Sequence, residues 1–144
     1  MPISYNEPIT FGRQGTAQGL SCTGIDFSED GNQSWTSAPV SEMDIQLPFA
    51  RQDIALEISA TPYLIEELVA VQDLFVFTGG LFTGYAKLTG HTVLTFPLNR
   101  STLSGRSTRL SLVIPTAVSP RALGLSQDER ELGIYLSAIT FRST

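Results

Sequence analysis

Glu42-Met43-Asp44-Ile45-Gln46-Leu47 alternates polar and apolar side chains one for one. That period of two marks a strand with one face on a core and the other in water. The same beat returns at residues 53–59, where Ile54, Leu56 and Ile58 alternate with Asp53, Ala55, Glu57 and Ser59, and again at 109–114, through Leu110, Leu112 and Ile114. In Leu132-Gly133-Ile134-Tyr135-Leu136-Ser137-Ala138-Ile139-Thr140-Phe141 the alternation runs through Leu136 and resumes out of phase at Ile139 and Phe141. One extra residue in a β-bulge produces such a slip. Gln72 to Thr78 is rich in aromatic and β-branched residues, and Gly79-Gly80 then supplies the positive φ that a tight hairpin needs before a strand from Leu81 to Tyr85.

A further strand is expected from Val93 to Phe96, ending at Pro97, with shorter ones near Phe11 and Trp35. Eight to ten strands result, which is the range of sandwiches and jelly rolls. Residues 62–68 read equally as a helix, with Thr61 as cap and Pro62 at the first position, or as a loop leading to Gln72. Ser126 and Glu129 have capping-box spacing, so a short helical turn is expected there. The expected fold is all-β: an antiparallel two-sheet sandwich, jelly-roll-like, with at most one or two short helical turns. Residues 1–144 suit one such domain, because two halves of this length would each have a marginal core.

The net charge is −5, and only 16% of residues are charged, against about a quarter in an ordinary domain. Nine Lys and Arg scattered among fourteen carboxylates do not make the basic footprint that phosphates require, so no nucleic-acid partner is expected. Abundant Ser and Thr suit an uncharged polar ligand instead. Cys22 is the only cysteine, so no disulfide forms within the chain, which fits a reducing, cytoplasmic setting. Met1-Pro2-Ile3-Ser4-Tyr5-Asn6-Glu7 lacks the pattern of a signal peptide, and no apolar run is long enough for a membrane span.

Catalytic motifs are wanting. His91, the one histidine, sits in Leu88-Thr89-Gly90-His91-Thr92 without an elbow sequence, and reads as an exposed loop residue. One His and one Cys cannot make a zinc site. Carboxylate pairs for glycoside hydrolysis are Glu29 with Asp30, Glu66 with Glu67, and Asp128 with Glu129 or Glu131, and adjacency of this kind is common on solvated turns. For calcium, the oxygen-rich stretch holds Asp26, Ser28, Glu29, Asp30 and Asn32 around Gly31. Its spacing departs from an EF-hand loop. An ordinary acidic turn is the reading adopted, with Asp26, Glu29 and Asp30 the candidates should an ion bind, and no cofactor is otherwise expected.

Trp35, in Gln33-Ser34-Trp35-Thr36-Ser37, has two readings. Sugar rings stack their C–H faces on an aromatic plane while neighbouring polar groups take the hydroxyls. Alternatively the lone Trp plugs the sandwich core, a role its bulk favours. Tyr63, Tyr85 and Tyr135 pose the same question.

Residues 119–134, Ser-Pro-Arg-Ala-Leu-Gly-Leu-Ser-Gln-Asp-Glu-Arg-Glu-Leu-Gly-Ile, followed by Leu136 and Ile139, resemble a segment of bacterial polysaccharide-biosynthesis proteins. In that family a Ser-Pro, a Gly-Leu-Ser, an Asp-x-Arg and a Leu-Gly precede the last strand of a β-sandwich domain often found beside glycosyltransferase domains. Glu29, Gly31, Trp35-Thr36, Leu47-Pro48 and the Gln72 strand follow the family order, so the likeness runs from about Phe11 to Phe141. The family's hairpin commonly carries Asn-Gly where this chain has Thr78-Gly79-Gly80. The resemblance implies a sandwich that holds or positions carbohydrate.

Asp128 and Arg130 also suit a structural role, pinning a loop by pairing with each other or with backbone groups, while Arg130 on a carboxylate such as Glu29 would tie the late loop to the early one. The expected function is a non-enzymatic carbohydrate-binding or glycan-biosynthesis-associated module, with Trp35, Glu29, Asp128, Arg130 and Tyr85 as ligand-binding candidates. Its partners would be a glycan, a glycosyltransferase or a second copy. The alternatives are an assembly module acting through protein contacts and a glycoside hydrolase using a carboxylate pair.

Overall fold

The structure is a computed structural model that describes residues 3–99 and 105–143. Eleven strands are present among them: β1 (Ile9–Thr10), β2 (Ser21–Thr23), β3 (Ile25–Asp26), β4 (Ser34–Thr36), β5 (Val40–Gln46), β6 (Ile54–Pro62), β7 (Gln72–Thr78), β8 (Leu81–Leu88), β9 (Thr92–Leu98), β10 (Ser107–Val113) and β11 (Ile134–Ser143). One 3-10 turn, Thr16–Gly19, accompanies them. The first sheet runs β2-β5-β10-β7-β8, the second β3-β4-β11-β6-β9 with β1 also on β11. The paired strands are antiparallel throughout. From β5 to β11 the chain passes repeatedly from one sheet to the other, which gives the sandwich its jelly-roll-like character and sets the crossing loops at its ends.

The alternation read from the sequence is the alternation of burial. Met43 and Ile45 of β5, Leu110 and Leu112 of β10, and Leu74 and Val76 of β7 face Ile54, Leu56 and Ile58 of β6 and Ile134, Leu136, Ile139 and Phe141 of β11. These side chains are at most 2% exposed, and each Leu or Ile so buried contributes about 1.5–3 kcal/mol relative to exposure. The phase slip in β11 is a bulge: Leu136 pairs with Ala60 and Ala138 with Ser59, leaving Ser137 between. Gly79 and Gly80, at φ 57° and 81°, close the β7–β8 hairpin as expected.

Two local expectations are corrected, and a third, left open between helix and loop, is decided for the loop. Strand β9 does not stop at Pro97 but passes through it to Leu98, because β9 is an edge strand and its proline opposes Ala55 without breaking an interior ladder. Residues 62–68 form no helix. Thr61 and Pro62 complete β6, an Ile65–Val69 bridge closes a turn with Glu67 at φ 69°, and Leu68 lies 55% exposed, so the apolar residues do not share one buried stripe. The turn expected at Ser126–Glu129 lies upstream instead: Ser119 Oγ accepts the Ala122 N–H at 3.0 Å, Pro120 begins the turn and Gly124, at φ 75°, ends it. Ser126 accepts only the Asp128 N–H, and Glu129 turns to Arg121. The strand count exceeds eight to ten because β1 to β4 have only two or three residues each, too short for periodicity to register.

Candidate functional site

At one end of the second sheet, three carboxylates from distant parts of the chain meet one guanidinium. Arg130 donates through Nε and Nη2 to Asp128 (2.6 Å at the closest), and through Nη1 to Glu29 Oε2 at 2.8 Å and Asp26 Oδ2 at 3.0 Å. The late loop is thereby fastened to the early one across 101 residues, the tie expected for Arg130 and Glu29. Arg130, Asp26 and Asp128 are about three-quarters covered, whereas Glu29 is half exposed. Asp26 is held below the usual carboxylate range, first by the Ser28 hydroxyl and N–H and then by Arg130. Asp128 is lowered by the side chain and then the backbone N–H of Arg130, and the Arg130 pKa is raised in return.

The early loop is built by its own carboxylates. Asp26 Oδ1 accepts from Ser28 N at 2.8 Å and Ser28 Oγ at 2.6 Å, and Asp30 Oδ1 accepts from Asn32 N and Gln33 N at 2.7 and 3.2 Å. A neighbouring segment braces it: Gly12 N donates to Ser34 Oγ, Arg13 N to Asp30 O, and Gln14 N to Gly31 O. Gly12, at φ 86°, lies so close that a Cβ would fall 2.4 Å from the Gly31 backbone. Only glycine serves there.

Trp35 does not plug the core. Its neighbours Ser34 and Thr36 point inward at 1% and 0% exposure, so Trp35 stands on the outer face of the sheet, half-buried. Its ring stacks on Tyr135 (centroids 4.4 Å apart, planes at 27°) and meets the edge of Tyr63 at 5.7 Å. Register explains the cluster, since Tyr135 and Asp26 are the cross-strand partners of Trp35. Burial raises the Tyr63 pKa with Asp128 adding to it, and burial with Asp30 and Glu29 raises that of Tyr135, so the carboxylates lie beside the rings. Gln33 Nε2 adds a hydrogen bond to Ser137 of the bulge at 2.8 Å.

Beside the Arg130 node opens a cavity of about 590 Å³, with Ile25 and Phe27 as its apolar part and Arg13, Gln18, Ser28 and Ser37 among its polar groups. Arg13, Gln18 and Phe27 escaped the sequence reading, because nothing in their local pattern distinguishes them from any loop residue. Of the candidates, Trp35, Glu29, Asp128 and Arg130 come together. Tyr85 does not join them: it lies on the outer face of the other sheet against Phe75 (4.8 Å), donating to Asp73 at 2.6 Å.

The calcium candidates Asp26, Glu29 and Asp30 are engaged in turn hydrogen bonds and in the pairing with Arg130. Among the described residues no three His, Cys, Asp or Glu side chains are grouped to hold a metal ion. A divalent ion at the node would have to displace Arg130, so these residues do not fit one. Ser28 and then Arg130 lower Asp26, and Arg130 lowers Asp128, so both favour the ionised form, the opposite of what a general acid for glycoside hydrolysis needs. Glu66 and Glu67 lie exposed on a separate turn. His91 is exposed, with Nδ1 at 2.8 Å from Thr61 Oγ1. Among the described residues no helix is long and apolar enough to cross a membrane.

No protein-family model matches the chain, and no curated protein does so significantly. Solved structures match it over nearly its whole length. The CBM36-1 domain of a multidomain xylanase from the hindgut metagenome of Trinervitermes trinervoides has a TM-score of 0.57 at 8% identity, covering 96% of this chain and 97% of its own. A family 35 carbohydrate-binding module from Clostridium thermocellum follows at 0.54 and 8%, covering 96% and 99%. The C-terminal CBM6 of a laminarinase from Zobellia galactanivorans scores 0.53 at 10%, covering 95% and 100%. At such identities the likeness is one of fold, and this chain shares the two-sheet β-sandwich of those modules.

Proposed function

We propose that residues 1–144 act as one non-enzymatic carbohydrate-binding module, holding a neutral glycan at the Trp35–Tyr135 face and the Arg130 loop. The observation that carries this reading is the position of Trp35: outside the core, partly exposed, and ringed by hydrogen-bonding groups of both kinds. An aromatic plane receives the C–H face of a sugar, while Glu29, Asp30, Gln33 and the open cavity offer partners for hydroxyls. Arg130 and Asp128 act mainly by fixing the loop. Arg130 is already committed to Asp26, Glu29 and Asp128, so the node offers no spare cation for an anionic ligand. The shared fold with modules named for carbohydrate binding supports the reading. The resemblance of residues 119–134 to sandwich domains beside glycosyltransferases supports a setting in polysaccharide biosynthesis, with the transferase as neighbour.

The chain has a single tryptophan, so its fluorescence reports this site directly. Titration with xylo-, cello- and laminari-oligosaccharides is expected to shift Trp35 emission, and Trp35→Ala to weaken binding about tenfold or more by calorimetry, given the worth of one aromatic contact plus its buried area. A glycan array with no ligand at millimolar concentration would overturn the proposal.

A further inference from the structure

Residues 10–18 form a closed loop ahead of the acidic one. Thr10 and Thr16 stitch its base, each backbone N–H donating to the other's hydroxyl, at 2.9 and 3.0 Å. Phe11 and Ala17, both at 0% exposure, root it in the core, and the Phe11 ring lies parallel to Phe27 with centroids 6.3 Å apart. Its tip grips the acidic loop. Arg13 Nη1 donates to Ser28 O and Glu29 O at 3.2 and 3.4 Å, Arg13 N to Asp30 O at 2.8 Å and Gln14 N to Gly31 O at 3.2 Å. Successive carbonyls from Ser28 to Gly31 are thus all taken by Arg13 and Gln14. Gly12 N adds a bond to Ser34 Oγ at 2.8 Å, one residue before Trp35.

The tip is fixed from within by one side chain. Gln18 Nε2 donates to Gly12 O at 3.0 Å and to Arg13 O, and the Gly15 N–H joins it on Gly12 O at 3.1 Å. Both partners of the side chain are carbonyl oxygens, so only its amide nitrogen serves there. Gln18 is exposed and belongs to the 3-10 turn Thr16–Gly19. Ordering an exposed glutamine costs side-chain entropy, which these two bonds offset. We infer that Gln18 is a positioning residue: through Gly12 and Arg13 it sets the backbone of residues 28–34, and with it the Glu29 and Asp30 carboxylates and the Trp35 ring, before any ligand arrives. Arg130 holds the same region by the side chains of Asp26 and Glu29, whereas Gln18 acts on its backbone. A binding loop ordered in advance loses less freedom on association and keeps its ligand more tightly. The effect on affinity rests on the proposed carbohydrate function, while the effect on the loop stands apart from it.

Gln18→Met keeps the reach of the side chain and removes both donors, Gln18→Glu sets an acceptor against two carbonyls, and Gln18→Lys supplies a donor again. Amide hydrogen exchange of the ligand-free protein is the first readout. In Gln18→Met and Gln18→Glu the amides of Arg13, Gln14, Asn32 and Gln33 are expected to exchange about tenfold faster, with those of β6 and β11 unchanged, and Gln18→Lys to recover part of the protection. Calorimetry with xylo-, cello- and laminari-oligosaccharides is the second. Affinity is expected to fall about three- to tenfold in Gln18→Met and to return in part in Gln18→Lys. Unchanged exchange at those four amides overturns the inference, because Arg130 then suffices to hold the loop. Equal acceleration in β6 and β11 also overturns it, since Gln18 then serves the stability of the whole sandwich. Faster local exchange with unaltered affinity removes the positioning role and leaves the carbohydrate reading standing. A wild type that binds no glycan removes that reading, and the exchange pattern then decides by itself whether Gln18 sets the loop.

Discussion

Arg130 is the residue on which the loops at the site depend. Its replacement by Ala leaves Asp26, Glu29 and Asp128 facing one another, and partly covered charge-assisted hydrogen bonds are lost. A destabilisation of about 2 kcal/mol is expected in urea melts. Acidity tests the same node. Asp128 is lowered in the folded chain chiefly by Arg130, so its contribution is complete above the unfolded value of about 3.9 and is lost as pH falls through the depressed folded value. Stability of the wild type should therefore drop below about pH 4, and the drop should be shallower in Arg130→Ala. Cys22 is the quiet counterpart. Burial, with Asp44 nearby, pushes its thiol up to about 11, and Sγ lies 3.6 Å from Ala17 O. Little thiolate exists at neutral pH, so thiol reagents should modify Cys22 much more slowly in the native than in the urea-unfolded chain.

At the scale of elements, the site is assembled by strands too short to persist alone. β3 and β4 contribute five residues in all, and they hold Asp26 and Trp35 side by side only because β4 pairs with the long strand β11. The bulge in β11 sets Ser137 where Gln33 can reach it. The segment at Gly12 clamps the acidic loop from behind. Gly12→Ala should cost about 2 kcal/mol or more, since it combines an unfavourable φ with a backbone clash, and should weaken any ligand held at the loop. Chemical denaturation and calorimetry on the same variant separate the two effects.

At the scale of the molecule, two faces bear aromatic side chains and the core between them is mainly apolar, with a few buried hydroxyls and Gln72 at its margins. Binding governed by stacking and neutral hydrogen bonds should change little between low and moderate salt, whereas an ionic mode would fall steeply, and titration at two ionic strengths discriminates them. The sequence alone determined the sandwich, the bulge in β11 and the glycine hairpin, because a period of two and a positive φ are local properties with one structural meaning. It offered Asp128 and Glu29 as partners for Arg130, but fourteen carboxylates gave no means of choosing among them, and Asp26 joined them only in the fold. The tertiary structure decided the rest. Whether Trp35 faces inward or outward depends on which side of β4 meets the core, and a three-residue strand carries too little pattern to say. Likewise, Tyr85 and Trp35 look alike along the chain but lie on opposite sheets, and Arg13 joins Arg130 at one cavity only once segments more than a hundred residues apart are brought together. Such convergence is set by packing between elements, a non-local quantity that no window of sequence contains.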